Sequence, residues 1–248
     1  MKKDLKSDLI AEKLKLSDPW YQLVLKMLES VVNDFNGQKL VEVGCGVGGF
    51  LINIARKGGT IAGLDLSANA VRATRDLVKR LQLQDRIDLV VGDAQFLPFR
   101  ERCSNVVVSS ETLEHVPDYE KAFGELLRIT NKSGYVCLTV PNYMGSAIFE
   151  NLLLLLVGQP SYIKSTVCVG KEHVFHIFKV KKLLTRNDIE LVKIRTVDFL
   201  HLPPRVRRAL GIGDSLEIVS KRLETFFENH ASPLKYAGAN IGVLARKK

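Results

Sequence analysis

The chain has 248 residues, with 36 lysines and arginines against 27 aspartates and glutamates, which gives a formal net charge of +9. Hydrophobic residues make up 46% of the chain and charged residues 25%, a balance that excludes a disordered protein of low hydrophobicity. The length fits one domain over residues 1–248, and the longest apolar stretch, Leu152–Val157, falls well below the ~20 residues of a membrane-spanning helix.

Apolar periodicity predicts helix over residues 5–35, with Asp18-Pro19 opening a second helix inside that range. Beyond it, short apolar runs that predict strands alternate with amphipathic segments that predict helices. The predicted strands are Lys39–Val43, Thr60–Leu64, Arg86–Val91, Asn105–Ser109 and Tyr135–Val140, and the predicted helices are Phe50–Arg56, Ser67–Leu81 and Asp118–Thr130. This alternation is typical of a parallel sheet covered by helices on both faces.

After Pro141 the alternation stops. The remaining pattern predicts one more helix, two strands that form an antiparallel pair, and a helical insertion between those strands. In chain order these are helix Phe178–Thr185, strand Ile189–Phe199, insertion Leu202–Pro233 and strand Tyr236–Ala245.

The four cysteines, Cys45, Cys103, Cys137 and Cys168, form no CxxC pair and no zinc-finger spacing. Residues 1–16 contain acidic side chains and no apolar core of a signal peptide. Both features favour reduced thiols in a cytoplasmic protein.

A glycine-rich turn, Gly44-Cys45-Gly46-Val47-Gly48-Gly49, separates the first predicted strand from its helix. It can be written as GxGxxG, which is typical of dinucleotide-binding enzymes that transfer hydride. With Glu42 it also reads acid-x-G-x-G-x-G, which resembles motif I of the class I S-adenosylmethionine-dependent methyltransferases. A carboxylate at position 42 would repel a pyrophosphate, whereas the resemblance implies that it supports the site of the cationic methionine end of the cofactor. This favours the methyltransferase over the hydride enzyme.

Two further strand ends fit the same family. Asp65 ends the second strand, where an acid can accept hydrogen bonds from both ribose hydroxyls, although NAD enzymes share this feature. Asp93 and Ala94 follow the third strand, where the resemblance implies an Asp that bonds the adenine amino group. The stretches Asp93–Phe99 and Glu111–Val116 are similar to the "DA-x-x-L-P-F" and "E-x-L-E-H-V" stretches of ubiquinone-biosynthesis O-methyltransferases.

The resemblance implies an α/β Rossmann-like fold, with a seven-stranded, mostly parallel sheet of order 3-2-1-4-5-7-6 and helices on both faces. It implies N-terminal helices over 1–36, a cofactor-binding half over 38–141, and substrate-side insertions over 142–176 and 202–233. The implied contacts to S-adenosylmethionine come from strand ends and from the turn, at Glu42, Gly44, Cys45, Gly46, Gly48, Asp65, Leu66, Asp93, Ala94 and Ser110.

Transfer of a methyl group to a hydroxyl requires alignment and removal of a proton. Glu111 and His115 are the candidate catalytic residues, because they follow the fourth strand beside the expected methyl position. The resemblance also implies a divalent-metal alternative in which Glu111, Glu114, His115 and His173 are ligands, with His176 as a substitute for His173. A third alternative is catalysis by proximity alone.

The acceptor predicted from this pattern is a small molecule, apolar or aromatic, methylated at a hydroxyl oxygen. An RNA 2′-O-methyltransferase remains an alternative because basic clusters occur on α-helical segments and at Arg246–Lys248. The stretch Val140-Pro141-Asn142-Tyr143 lacks the second proline of amino-methylating nucleic-acid enzymes and follows the wrong strand. A further alternative is a protein that binds the cofactor without catalysis. Contact of Leu152–Val157 with a membrane surface is less favoured than a buried cap helix, and the sequence does not predict the oligomeric state.

Overall fold

A computed structural model describes residues 19–145, 173–185, 189–199, 215–229 and 233–248. Its centre is a seven-stranded sheet of order β3-β2-β1-β4-β5-β7-β6. Strands β1 to β5 are parallel to one another, and β7 is antiparallel to both β5 and β6. The predicted fold class and strand order are therefore confirmed.

The strands, in chain order, are β1 Lys39–Val43, β2 Thr60–Asp65, β3 Ile87–Val91, β4 Ser104–Ser110, β5 Thr130–Pro141, β6 Ile189–Val197 and β7 Asn240–Lys247. The described α-helices are α1 Pro19–Glu29, α2 Gly49–Arg56, α3 Ala68–Arg80, α4 Tyr119–Ile129, α5 Ile177–Thr185 and α6 Ser215–Asn229. Two short 3₁₀ turns, Leu113–His115 and Pro233–Tyr236, complete the described elements.

The buried side chains form one apolar layer on each face of the sheet. Leu40 of β1 belongs to the first layer, with Leu28 of α1 and Ile54 of α2. Its neighbour Val41 belongs to the second layer, with Phe123 of α4. Successive side chains of a strand point to opposite faces, so a strand with apolar residues on both faces, such as β1, can supply both layers.

Helix starts follow the polar residues that the sequence indicated. The Ser67 hydroxyl accepts a hydrogen bond from the Ala70 N–H at the start of α3. The Asp118 carboxylate accepts one from the Lys121 N–H at the start of α4. These bonds satisfy backbone donors that lack a partner within the helix.

Helix α1 begins at Pro19, as predicted, but it ends at Glu29 instead of continuing to residue 35. Val32 and Phe35 are buried nonetheless, so their apolar spacing reflects packing of a non-helical segment onto the core. Strand β5 begins five residues before its predicted start, and a register shift relative to β4 separates Ser104 from Val106. The predicted helix before residue 19, the stretch Leu152–Val157 and residues 202–214 of the insertion lie outside the described residues.

Within the described part of the chain, no helix combines the length and the apolar character needed to span a membrane. The three described cysteines are free thiols, with Cys45 and Cys137 buried. Burial raises the pKa of the Cys137 thiol to about 12.

Candidate functional site

A cavity of about 470 Å³ opens at the carboxyl ends of β1 to β4. In open sheets of this kind, ligands bind at that edge. Seven of the ten predicted cofactor contacts line the cavity, namely Gly44, Gly46, Asp65, Leu66, Asp93, Ala94 and Ser110. The candidate catalytic residues Glu111 and His115 line it as well.

The glycine-rich turn forms one wall of this cavity with backbone atoms. Gly44, Gly46 and Gly48 all have positive φ angles, of 81°, 51° and 78°. A Cβ on Gly44 would overlap the Thr112 side chain, and a Cβ on Gly48 would overlap Cγ2 of Thr74. The turn therefore requires glycine for its conformation and for its close packing.

Asp65 is held in place by the turn that it faces. Its Oδ2 atom accepts a hydrogen bond from the Gly46 N–H at 2.8 Å, and its Oδ1 atom accepts one from the Ser67 N–H at 2.8 Å. A carboxylate has about four acceptor positions, so these two bonds orient the group and leave capacity for further donors. This geometry fits the two adjacent hydroxyls of a ribose.

Asp93 lines the cavity from the loop after β3. Its Oδ1 atom accepts hydrogen bonds from the Gln95 N–H at 2.8 Å and from Gln95 Nε2 at 3.0 Å. The loop is tied to α4 farther along, because Glu125 accepts a bond from the Leu97 N–H and Arg128 donates to the carbonyls of Leu97 and Phe99. Helix α4 thus fixes the position of the loop that carries Asp93 and Ala94.

Three predicted contacts do not line the cavity. Glu42 and Cys45 are almost completely buried, with exposures of 1% and 0%, and Gly48 packs under Thr74 of α3. Glu42 lies within β1, paired with Gly63 of β2 and Val108 of β4. These three residues pack against the core on the side of the turn away from the cavity, whereas their neighbours Gly44 and Gly46 line it.

Glu111, Glu114 and His115, the candidate catalytic and metal-binding residues after β4, occupy different environments. The segment that carries them contains only a short 3₁₀ turn, so they do not share one face of an α-helix. Glu111 lies before that turn with a φ of 47°, and Asn240 donates a hydrogen bond to its Oε2 atom at 3.1 Å. The Glu114 side chain is only 2% exposed, and the His115 side chain is 57% exposed. The Nε2 atom of His115 lies 3.8 Å from Oε1 of Glu114, so a buried carboxylate stands behind an imidazole that faces the cavity.

The metal group expected from Glu111, Glu114, His115 and His173 is not assembled in the structure. No cluster of three or more His, Cys, Asp or Glu side chains with the arrangement of a metal site occurs among the described residues. The backbone N–H of His173 donates to the Glu114 carbonyl, and its Nε2 atom lies 2.9 Å from the carbonyl oxygen of Pro117. A carbonyl only accepts hydrogen bonds, so Nε2 carries a proton there and cannot ligate a metal ion. The described residues therefore do not form a preassembled metal site, and the divalent-metal alternative stays a prediction from the resemblance.

His173 instead anchors the segment that precedes α5. Its ring packs edge-on against Tyr119 with the ring centres 4.8 Å apart, and Phe175 packs on the same tyrosine at 5.1 Å. His176 accepts a hydrogen bond from the Lys179 N–H near the start of α5, a helix-capping contact. Both histidines thus make structural contacts beside the cavity.

Several residues that line the cavity were not predicted from the sequence. They come from α1, from strand ends and from the loops after β3 and β4, and are Trp20, Val43, Leu64, Gly92, Gln95, Thr112, Val116 and Pro117. Gly92, Gln95, Val116 and Pro117 adjoin or fall within stretches that were already singled out. No local signal distinguishes Trp20, which reaches the cavity because α1 packs on one face of the sheet, over β5 and β7.

The basic residues are spread over the surface. Arg72, Arg75 and Lys79 are exposed on α3. Arg246 pairs with Tyr135 near the start of β5, so the segment Arg246–Lys248 lies at the end of the sheet opposite the cavity. Three further arginines of the sequence, Arg205, Arg207 and Arg208, lie outside the described residues.

Comparison with known proteins supplies the family context for this site. Residues 41–138 match the family model of a methyltransferase domain. Methyltransferase GfsG of Streptomyces halstedii is 32% identical over 103 residues, which cover 41% of this chain and 37% of GfsG. The chain therefore spans little more than a third of that relative.

A ubiquinone biosynthesis O-methyltransferase of Klebsiella pneumoniae subsp. pneumoniae is 29% identical over 169 residues, or 68% of this chain and 67% of that protein. A solved S-adenosylmethionine-dependent methyltransferase from Mesorhizobium loti has a TM-score of 0.64 at 16% identity, covering 93% of this chain and 99% of that one. At this identity the structural match establishes the fold alone.

Proposed function

We propose that this chain, which its domain match and relatives support as an S-adenosylmethionine-dependent methyltransferase of the small-molecule type, methylates a hydroxyl oxygen of its acceptor. The observation that carries the choice of a hydroxyl is the His115 imidazole on the cavity wall, with the buried Glu114 carboxylate 3.8 Å behind it. A hydroxyl is a weak nucleophile until its proton is removed, and an imidazole is the side chain best suited to remove it near neutral pH.

The residues present fit the cofactor. Gly44 and Gly46 of the turn line the cavity, Asp65 is oriented by two backbone N–H groups and keeps further acceptor positions, and Asp93 lines the cavity as well. When bound, S-adenosylmethionine supplies an electrophilic methyl group on a sulfonium whose leaving group is neutral. The tasks left to the protein are to hold that group, to align the acceptor and to accept the proton.

In this proposal His115 would accept the proton of the acceptor's hydroxyl, and the bound cofactor would supply the methyl group as its bond to sulfur breaks and the neutral thioether leaves. The nearby Glu114 carboxylate stabilises the imidazolium that results, in the way that a buried acid assists a histidine base in other enzymes. Glu111, which also lines the cavity, would supply a negative charge that favours binding of the cationic sulfonium. Alignment of the acceptor with the methyl group lowers the activation free energy of a bimolecular reaction by several kcal/mol.

The walls also support an apolar acceptor. Trp20, Val116 and Pro117 face the cavity together with His115, and ligand sites are commonly apolar surfaces with a few polar groups. A ubiquinone biosynthesis O-methyltransferase among the relatives supports an aromatic hydroxyl as the acceptor class. RNA is less well supported, because Arg246–Lys248 lies at the opposite end of the sheet from the cavity.

The first experiment separates cofactor binding from turnover. Thermal unfolding is measured with S-adenosylhomocysteine and, as comparison, with NAD, since a ligand at 100 times its Kd stabilises a protein by about 2.7 kcal/mol. A shift with S-adenosylhomocysteine and none with NAD is expected. A shift with NAD alone would overturn the assignment in favour of the hydride enzyme.

The second experiment tests the acceptor atom. Matched pairs of small phenols and anilines, and an unmodified RNA, are offered with methyl-labelled S-adenosylmethionine, and products are identified by mass spectrometry. We expect label on phenol oxygen; label on aniline nitrogen or on RNA alone would contradict the proposal.

His115→Gln should lower kcat by about 10²–10⁴-fold while leaving S-adenosylhomocysteine affinity unchanged, and His176→Gln, outside the cavity lining, serves as the matched control. Cofactor binding with no transfer to any acceptor would favour the non-catalytic alternative.

A further inference from the structure

Asn240 places a side-chain amide at the cavity end of the sheet although it belongs to the last strand. Strand β7 runs antiparallel to β5, so its first residue, Asn240, pairs with Pro141 at the carboxyl end of β5. From there the Asn240 Nδ2 atom donates a hydrogen bond to Oε2 of Glu111 at 3.1 Å. The amide thus reaches a carboxylate on the cavity wall that lies 129 residues earlier in the chain.

The backbone of Glu111 is held by a second strand. Its φ of 47° lies in the left-handed region, which a residue with a Cβ adopts only where its surroundings impose it. The Glu111 N–H donates to the Thr139 carbonyl at 3.1 Å and lies 3.2 Å from the Thr139 hydroxyl oxygen. Strand β5 therefore fixes the main chain of Glu111, and strand β7 fixes its carboxylate.

Asn142, the residue after β5, holds the segment that leads into Asn240. The Asn142 Nδ2 atom donates to the carbonyls of Tyr236 and Gly238 at 2.8 and 2.7 Å, and the Asn142 N–H donates to the Ala239 carbonyl at 2.6 Å. Asn142 is 1% exposed. It therefore binds the segment that leads directly into Asn240, and this gives the Val140–Tyr143 stretch a structural role in place of the catalytic one considered from the sequence.

We propose that Asn240 is a positioning residue, which through its amide directs the Glu111 carboxylate toward the sulfonium of S-adenosylmethionine, and that Asn142 sets the position of Asn240. The inference rests on the proposed function. An amide N–H that donates to a carboxylate favours the ionised form and restricts its rotation. A fixed negative charge beside the sulfonium distinguishes the methylated cofactor from its neutral product, because S-adenosylhomocysteine has the same adenosine and amino acid parts without the positive sulfur.

The test compares the affinities for these two ligands by calorimetry. Asn240→Leu removes the donor with little change of volume, and it is expected to weaken S-adenosylmethionine binding by about tenfold, the loss typical of one charge-assisted hydrogen bond. Binding of S-adenosylhomocysteine should change by less than about threefold. A purely structural role would weaken both ligands equally, so an unchanged ratio of the two affinities would overturn the inference.

A double-mutant cycle gives the second readout. If Asn240 acts through Glu111, then Asn240→Leu should not change the ratio of the S-adenosylmethionine and S-adenosylhomocysteine affinities once Glu111 is replaced by Gln. If the two substitutions change this ratio independently, so that their effects multiply, the coupling is refuted. Asn105→Leu is the matched control, because Asn105 also bonds across elements, to the Lys39 N–H, but at the other end of the sheet. If the wild-type chain binds neither ligand, the proposed function fails; if it binds both and Asn240→Leu behaves as wild type, the inference alone fails.

Discussion

The Asp65 carboxylate accepts a hydrogen bond from the backbone N–H of Gly46 at 2.8 Å, and this contact joins the end of β2 to the glycine-rich turn after β1. The same carboxylate accepts a second bond from the Ser67 N–H, just before α3. One side chain therefore stabilises the turn, accepts a hydrogen bond from the N-cap residue of α3 and lines the cavity. Its structural role and its proposed role in ligand binding should therefore be lost together.

Replacing Asp65 by Asn should destabilise the apo protein by about 1–3 kcal/mol. Asn offers one acceptor oxygen and a donating NH₂ group, so one of the two backbone N–H groups would face another donor. Urea unfolding measures the loss, and S-adenosylhomocysteine affinity should fall in parallel. Asp88→Asn, at an exposed position on β3, is the control and should change stability by no more than about 0.5 kcal/mol.

Replacing Gly48 by Ala should cost about 2–4 kcal/mol, from the left-handed backbone and from overlap with Cγ2 of Thr74. The two causes can be separated with Thr74→Ser, which removes Cγ2 and keeps the hydroxyl that donates to the Gly46 carbonyl at 2.8 Å. The double mutant should recover about 1–3 kcal/mol relative to Gly48→Ala alone, when each is compared by urea unfolding. A double mutant no more stable than Gly48→Ala would show that overlap with Thr74 is not the cause.

The stability of the protein should fall at acid pH when Glu125, which holds the loop that carries Asp93, is protonated. The hydrogen bond from Arg128 lowers the pKa of the Glu125 carboxyl below its usual 4.5, and the Leu97 N–H acts in the same direction. The unfolded chain therefore takes up the proton at a higher pH than the folded protein does. The stabilisation is complete above pH 4.5 and is lost as the pH falls through the lower, folded pKa.

The measurement is the unfolding temperature from about pH 7 down to about pH 3. Glu125→Gln should flatten the acid part of this profile, while Glu120→Gln, an exposed carboxylate on the same helix, should leave it steep. A profile that is equally steep without Glu125 would assign the acid sensitivity to other groups.

The backbone at Glu111 should favour glycine over alanine. Both Glu111→Gly and Glu111→Ala remove the carboxylate and its bond to Asn240, so the difference between them reports the left-handed φ alone. The Gly variant should be more stable by about 1 kcal/mol. The same pair at Glu120, in the first turn of α4, should show the opposite order by about 0.5–1 kcal/mol, because glycine weakens helices.

The sheet and its helices could be predicted because local signals suffice for them. Buried strands such as Lys39–Val43 are short segments rich in apolar residues, and Ser67 and Asp118 mark helix starts with side chains that accept backbone hydrogen bonds. The end of α1 was missed because Val32 and Phe35 keep an apolar spacing while they pack without helical backbone. Periodicity reports which side chains are buried, and here it could not report the conformation that buries them.

The site could be predicted only where strand ends bring residues together by topology. Gly44, Asp65 and Asp93 follow three neighbouring parallel strands, so the fold alone implies that they meet. Trp20 and the pair Asn240–Glu111 depend on contacts between distant segments, for which the sequence has no local pattern. The resemblance to a known motif made His173 a candidate metal ligand, but its ring nitrogen contacts the Pro117 carbonyl. The type of residue in a motif therefore does not determine which group its side chain contacts.

The position of β7 has a consequence for synthesis on the ribosome. This strand follows β6 in the chain, yet it lies between β5 and β6 in the sheet, so β6 emerges from the ribosome before the strand with which it pairs. Glu111 likewise emerges long before Asn240. The nascent chain can form the five parallel strands early, but β6 must wait with an exposed edge, during which it is open to pairing with other chains. A pause in translation between residues 197 and 240 should therefore increase aggregation more than a pause before β6.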